Sequence, residues 1–416
     1  MRLLFLNRSF WPDPEATGQL LTELCVDLSR DHDVTVVAGP SYHVPTEGRG
    51  LWQREALGRV AILRTWGTRL PKRRLLGRLL NLGSYYTLAA VGALRVAKPD
   101  VVIAETDPPL LGVLGAALQA RWRCRFVYYC QDIYPDVAEV TGGVRNRALL
   151  SLLARANRLA YRKADLIVVP GRDMRQRLLR KGVPPEKIAV LPNWIDCDAV
   201  RPLADNAFRT QFGDKFVVMY SGNIGLSQQL DTVLDAARRL RDDARILFVF
   251  IGEGARKQWL AEAARRDGLD NVRFFPYQPK AQLAASLGAA DLHLVPLQAG
   301  VAGCLVPSKI YGVLAAARPF VALMEEEAEV AALAREFGVG FVSPPGDAVA
   351  LVQIVQSAVA HPTTLKTMGR RARALAEQQY HRPILTRRFA DLLNAGELQA
   401  GHRDRLYKTV DDASLL

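Results

Sequence analysis

Cysteine is scarce in this chain, and nothing about its spacing pairs it. Cys25, Cys124, Cys130, Cys197 and Cys304 are scattered through 416 residues with no CxxC pair and no zinc-ligand set. The pattern argues against a disulfide framework or a metal knuckle and fits buried thiols in a reducing compartment. Long apolar runs are also missing. No stretch of 18 uncharged apolar residues occurs, so no spanning helix is expected. The start, Met1-Arg-Leu-Leu-Phe-Leu, offers four apolar residues before Asn7 and Arg8, too few for a secretion signal, and reads as a first strand. Acidic residues are short in the first half only. Residues 1–190 hold 29 Lys+Arg against 17 Asp+Glu, a balance of +12, whereas residues 191–416 balance to +1. Such a field suits anionic lipid, a diphosphate-bearing substrate or nucleic acid. No nucleic-acid-binding module accompanies it, which sets nucleic acid aside.

Hydrophobic residues make up 49% of the chain, ample for burial, and the length suits two domains of about 200 residues each. In the first half, strands are read at Arg2–Asn7, Asp33–Ala38, Val60–Thr65, Asp100–Glu105, Arg125–Cys130, Asp165–Pro170 and Ile188–Val190, with helical patterns between most of them. The second half repeats one grammar three times. Strands Phe216–Tyr220, Ile246–Ile251 and Asp291–Pro296 each lead through small residues into an amphipathic helix. The expected fold is therefore α/β, with two doubly wound Rossmann-like domains. Domain one covers 1–190 and domain two 191–362, with the boundary near Leu191-Pro-Asn-Trp-Ile-Asp196. Helices at 363–400 are placed to pack back on the first domain, and 401–416 reads as a frayed tail. The turns Ser221-Gly-Asn-Ile-Gly225, Gly252-Glu-Gly254 and Gly300–Lys309 should put free backbone N–H groups at the carboxyl edge of a parallel sheet, where phosphates bind. Several such turns in one half suggest a nucleotide-shaped ligand, with an acceptor on the first domain across a cleft.

The order of elements, with Gln131-Asp-Ile-Tyr-Pro-Asp136, Leu191–Asp196, Tyr220-Ser-Gly-Asn-Ile-Gly-Leu226, Phe250-Ile-Gly-Glu-Gly254 and Val306-Pro-Ser-Lys309, resembles family 4 glycosyltransferases of GT-B fold. The likeness covers roughly residues 1–395 and is strongest to the bacterial branch that builds exopolysaccharide (colanic-acid type) and O-antigen units. It implies a retaining transfer of a sugar from a UDP- or GDP-sugar, without a cofactor or metal ion. The implied acceptor is a polyprenyl-diphosphate-linked saccharide at the inner face of the cytoplasmic membrane. The implied enzyme is cytoplasmic and peripheral to that membrane. A sugar-nucleotide 2-epimerase and a non-catalytic sugar-nucleotide-binding protein are the competing readings.

On this resemblance Gly18 allows backbone to approach the donor diphosphate. Gly222, Asn223, Gly225 and Gln228 occupy the turn where many relatives place an Arg and a Lys. Since Asn223 and Gln228 carry no charge, Lys309 is expected to neutralise the anion, with Ser308 as a local helix cap. Glu253 and Tyr277 are expected to face the nucleotide. Two glutamates usual in the family correspond to Cys304 and Gly312, so sugar contacts fall to the Ala299–Leu305 backbone. In the first domain Asp132 would orient the acceptor hydroxyl, with Gln131 and Glu105 beside it, and Asp136 and Glu139 close by. Gln131 cannot exchange a proton, so classical base catalysis by it is excluded. Finally, Leu70-Pro-Lys-Arg-Arg-Leu-Leu-Gly-Arg-Leu-Leu80 and the segment Arg145–Lys163 combine Lys/Arg with Leu as interfacial helices do, and are read as a surface for anionic lipid.

Overall fold

Strands β1 (Arg2–Leu6), β2 (Asp33–Ala38), β3 (Trp52–Leu57), β4 (Val60–Thr65), β5 (Val101–Ala104), β6 (Arg125–Tyr129), β7 (Leu166–Val169) and β8 (Ile188–Val190) form one sheet. Its order is β3-β4-β2-β1-β5-β6-β7-β8. These elements come from a computed structural model that describes residues 1–13, 15–41, 50–68, 70, 75–144, 146–225 and 227–395. Every pairing is parallel except β3 with β4. All residues of β5 and β7 are buried, the signature of strands covered by helices on both faces. β3 is absent from the sequence reading, and its composition explains why. Gln53, Arg54 and Glu55 give it no apolar run, because it is an edge strand with none of its residues fully buried.

A second sheet holds β9 (Phe216–Ser221), β10 (Ile246–Ile251), β11 (Val272–Phe275), β12 (Leu292–Pro296), β13 (Phe320–Leu323) and β14 (Gly340–Ser343). It is parallel throughout, in the order β11-β10-β9-β12-β13-β14. Alternate residues of β9 feed two cores. Val218 and Tyr220 pack with Val233, Leu234 and Leu351 on one face, while Val217 and Met219 pack with Phe212 and Ala289 on the other. Alternation of this kind, with both faces buried, is what turns a strand into a continuous apolar run.

The chain divides into two compact units, Met1–Leu191 with Thr386–Leu416, and Pro192–Leu385. The helix Pro362–Leu375 lies in the second unit, while residues of the last helix, Arg382–Asn394, fall to the first from Thr386 onward. There Arg125 Nη2 donates to the Leu392 carbonyl at 3.1 Å, and the Tyr129 and Phe389 rings meet at 5.3 Å. Among the described residues no single helix is long and apolar enough to cross a bilayer.

Candidate functional site

In each sheet the chain runs outward from a central strand and then returns to that strand's other side. The reversal lies between β9 and β12 in the second unit and between β1 and β5 in the first. Ligands of open α/β sheets collect beyond the carboxyl ends of the strands at such switch points. The residues singled out from the sequence can be placed against these two positions.

In the second unit β9 ends at Ser221 and passes into Gly222, whose φ of +144° is open to glycine and strained for other residues. Lys309, the first residue of the helix Lys309–Ala315, reaches back over this turn. A Cβ on Gly222 would stand 3.0 Å from Lys309 Nζ. The amine donates to the Tyr220 hydroxyl at 2.7 Å and lies 3.9 Å from the centre of that ring. Tyr220 in turn donates to the Asn223 carbonyl. Loss of hydration pushes the Lys309 amine down to about 7. Among the described residues no carboxylate forms an ion pair with it.

The glycines of the neighbouring turn do a different job from the one expected of them. A Cβ on Gly252 would fall 2.0 Å from the Gly222 carbonyl oxygen, and one on Gly254 would fall 2.3 Å from that of Ile224. The N–H groups of Gly222, Gly252 and Gly225 are already engaged, by Ile251 O at 2.9 Å, Phe275 O at 3.0 Å and Gln228 Oε1 at 3.1 Å. The expectation of free backbone donors therefore fails at these three positions: the glycines lock adjacent turns together. Gln228 is consumed locally as well, its Nε2 donating to Ser227 Oγ at 2.7 Å. Asn223 is exposed. Glu253 is exposed and paired with Lys257 at 2.6 Å, a link between a turn and its following helix. Tyr277 is 52% exposed beside Gly252, where a Cβ would meet its ring at 3.5 Å. Ser308 does precede the helix but makes no capping hydrogen bond, because its backbone is already helical (φ −61°, ψ −18°). An N-cap side chain needs the extended conformation to reach back. Cys304 and Gly312 are both buried, and a Cβ on Gly312 would point at Leu287 Cδ1, 3.0 Å away. A cavity of about 340 Å³ opens beside this turn, lined by Gly225, Gln229, Leu230, Asp231, Arg256, Gln298 and Ala299. Arg256 and Asp231 pair across it at 2.5 Å.

In the first unit the switch point gathers carboxylates. Asp107 is held by Arg8 Nη2 at 2.7 Å and by the Ser9 hydroxyl at 2.5 Å. Asp132 follows β6, and its N–H donates to Thr106 Oγ1 at 3.2 Å. Burial first, and the Asp107 charge second, push the Asp132 carboxyl up to about 6. Glu105 is 1% exposed, and neither of its oxygens has a partner among the described residues. Burial first, and then the charges of Asp107 and Asp132, push its carboxyl well above the ordinary carboxylate range. Gln131 is buried, and its side chain is hydrogen-bonded to Tyr129. Gly18 packs against Ser9, whose backbone carbon would lie 3.1 Å from an added Cβ. It therefore supports the loop that holds Asp107. Asp136 is taken up by Arg177 at 3.0 Å and Lys181 at 2.8 Å, so it braces a helix, and Glu139 is exposed.

Sequence reasoning missed Tyr220, Arg8 and Asp107. Tyr220 reads as one more apolar strand residue, and only its hydroxyl at the strand end marks it. Arg8 and Asp107 sit in loops, ninety-nine positions apart, and become partners through the β1–β5 pairing.

Two family profiles match this chain. One, described as a glycosyl transferase 4-like domain, covers residues 16–194, and the other, glycosyl transferases group 1, covers residues 204–375. The probable glycosyltransferase WbjE of Pseudomonas aeruginosa is 30% identical over 328 residues, 77% of this chain and 81% of the relative. The putative colanic acid biosynthesis glycosyl transferase WcaI of Escherichia coli K12 is 30% identical over 380 residues, 87% and 93% of the two chains. Among solved structures, Anabaena HepE in complex with UDP superposes with a TM-score of 0.71 at 18% identity, covering 95% of this chain and 100% of that one. Sucrose-phosphate synthase from Thermosynechococcus elongatus gives 0.76 at 16% identity, covering 95% and 98%. These structures share the fold, two doubly wound domains of GT-B type. With matches spanning both units, the chain belongs to the glycosyltransferases that join a transferase 4-like domain to a group 1 domain.

Proposed function

We propose that this glycosyltransferase moves a sugar from a UDP- or GDP-sugar onto a polyprenyl-diphosphate-linked saccharide, with retention at the anomeric carbon, in exopolysaccharide or O-antigen assembly. The observation that carries the donor assignment is Lys309, an amine with no counter-ion among the described residues, at the switch point of the second sheet and set over Gly222. Anionic diphosphate supplies the missing charge. In this reading Lys309 neutralises the leaving group and no metal ion is needed. The cavity beside Gly225 and Gln298 receives the sugar. HepE crystallised with UDP, and with UDP-glucose, supports a nucleotide at this kind of fold. The colanic acid role of WcaI supports the pathway.

The bond from the anomeric carbon to the diphosphate oxygen breaks as a bond to the acceptor oxygen forms on the same face. The acceptor proton passes to the departing diphosphate. Such a reaction needs positioning and charge stabilisation more than a protein base. Asp132, half-buried at its strand end, orients the acceptor hydroxyl, and its charge is one of those that raise the buried Glu105 carboxyl.

The acceptor lies in a membrane, and the protein meets that surface through the first unit. Lys72, Arg73 and Arg74 of the basic run lie outside the described residues, as does the side chain of Arg78. The second basic segment is a helix, Arg147–Lys163, with exposed Arg147, Arg155, Arg158, Arg162 and Lys163 beside exposed Leu149, Leu152 and Leu159. Cations flanking leucines on one solvent face match the chemistry of an anionic lipid surface.

The test is nucleoside diphosphate release from a panel of UDP- and GDP-sugars, with and without lipid-linked saccharide extract. Release that needs both one donor and the extract supports the transfer. Binding of a donor with no release under any condition favours a 2-epimerase or a non-catalytic binding protein.

A further inference from the structure

Lys309 sits in surroundings that disfavour a cation. It is half-buried, and it begins a helix whose N-terminal end carries the positive pole of the peptide dipoles. Its hydrogen bond goes to a neutral hydroxyl. Among the described residues, the groups around it, element by element, supply no compensating anion. β9 contributes Tyr220, and the turn that follows contributes Gly222. The β10 turn contributes Glu253, which is paired with Lys257. Tyr277 follows β11. β12 contributes His293, buried and bonded through Nε2 to the Leu287 carbonyl at 2.9 Å, and Arg318 lies beyond the helix itself. The Tyr220 ring gives the ammonium some support, but not enough to offset lost hydration, and the amine titrates near neutrality, at about 7. His293 is pushed down to about 4 and both tyrosines are pushed up, so none of these three changes charge between pH 6.5 and 8.5.

We infer that the donor site takes up a proton with each nucleoside diphosphate it binds, and that the proton goes to Lys309 Nζ. The inference rests on the donor reading above. The empty site holds a neutral amine in slightly alkaline solution. Diphosphate brings the counter-charge that the described residues do not supply, the amine takes a proton from solvent, and the ammonium–phosphate pair forms. Release of the nucleotide returns the proton.

The experiment is calorimetric titration of the full-length protein with UDP and with GDP at pH 8.0, in two buffers of different ionisation enthalpy. At that pH the terminal phosphate, with a second pKa of about 6, is already ionised and contributes no uptake. A group near 7 is about nine-tenths neutral at pH 8, so roughly 0.9 proton is taken up per nucleotide, seen as a buffer-dependent enthalpy. The dissociation constant rises about tenfold per pH unit above 7 and levels off below it. Lys309→Arg, charged at every pH used, abolishes both effects while it still binds. Nucleotide binding with a buffer-independent enthalpy overturns the inference and leaves the donor reading standing. Uptake that persists in the Arg variant overturns the assignment to Lys309. If neither nucleotide binds at pH 6.5, the donor reading falls and takes the inference with it. The wild-type buffer comparison decides the uptake by itself, even if the variant fails to fold.

Discussion

Gly252→Ala probes the close approach that builds the candidate donor turn. An added Cβ would lie 2.0 Å from the Gly222 carbonyl oxygen, and side-chain carbons do not come closer than 3.0 Å to such atoms, so the two turns must part by about 1 Å. The φ of +144° adds strain of about 1–3 kcal/mol for a residue with a side chain. Parting the turns weakens the Gly222 N–H bond to Ile251 and the Ile224 N–H bond to Glu253, each worth about 1 kcal/mol. Together these give a destabilisation of about 3 kcal/mol. Gly268 is the control: its φ is +61° and nothing lies within 4 Å of an added Cβ. Gly268→Ala should cost about 1 kcal/mol, the backbone term alone. Because Lys309 rests on Gly222, Gly252→Ala should also weaken UDP or GDP binding at least tenfold, while Gly268→Ala leaves it unchanged. Urea denaturation and nucleotide titration on the two variants measure both quantities. Equal destabilisation of the two with undiminished binding in Gly252→Ala would refute the argument that this glycine is required by space.

Asp132→Asn should separate stability from activity. The folded carboxyl titrates near 6 against an ordinary 3.8, so the folded protein binds more protons than the unfolded chain between those values. Wild-type stability therefore declines as pH rises from about 4 to 6, and the Asn variant, free of that cost, gains about 3 kcal/mol at pH 7.5 and almost nothing at pH 3.5. Transfer should meanwhile fall; a variant no more stable at pH 7.5 would show that the carboxylate is not desolvated. Changing Arg155, Arg158, Arg162 and Lys163 to Gln should lower affinity for anionic liposomes at least a hundredfold at low salt, at about 1 kcal/mol per charge. Binding that is unchanged, or that ignores salt, returns this helix to an ordinary solvated face.

The strands were readable in the sequence because burial on both faces leaves unbroken apolar runs. Asp33–Ala38, Val60–Thr65 and Ile246–Ile251 occupy the residues expected of them. β3 was hidden because an edge strand needs no such run. At the site, Lys309 stood out as a basic residue at a helix start after Pro307. What the sequence withheld was the partner chemistry. Hydrogen-bond capacity spent within a turn, as at Gln228 and the Gly222 N–H, looks the same on paper as capacity free for a ligand. The Ser308 cap failed for a related reason: residue type suits the role, but backbone angles decide whether the hydroxyl can reach. The isolation of Glu105 is likewise a property of its neighbours, not of its own segment.

The chain leaves the first unit at Leu191 and re-enters it at Thr386. Arg125 and Tyr129 wait on carbonyls and a ring supplied by Leu392, Leu393 and Phe389. On a ribosome adding about 5–20 residues per second, the N-terminal unit stays unfinished for roughly ten seconds or more while the whole intervening unit is made. Phe389 is 1% exposed once in place, so until it arrives an apolar slot along β6 lies open to nascent-chain chaperones. Domain dissection must respect the same order: a fragment ending at residue 191 would lack part of its own interior, and only a fusion that restores the final helix would complete it.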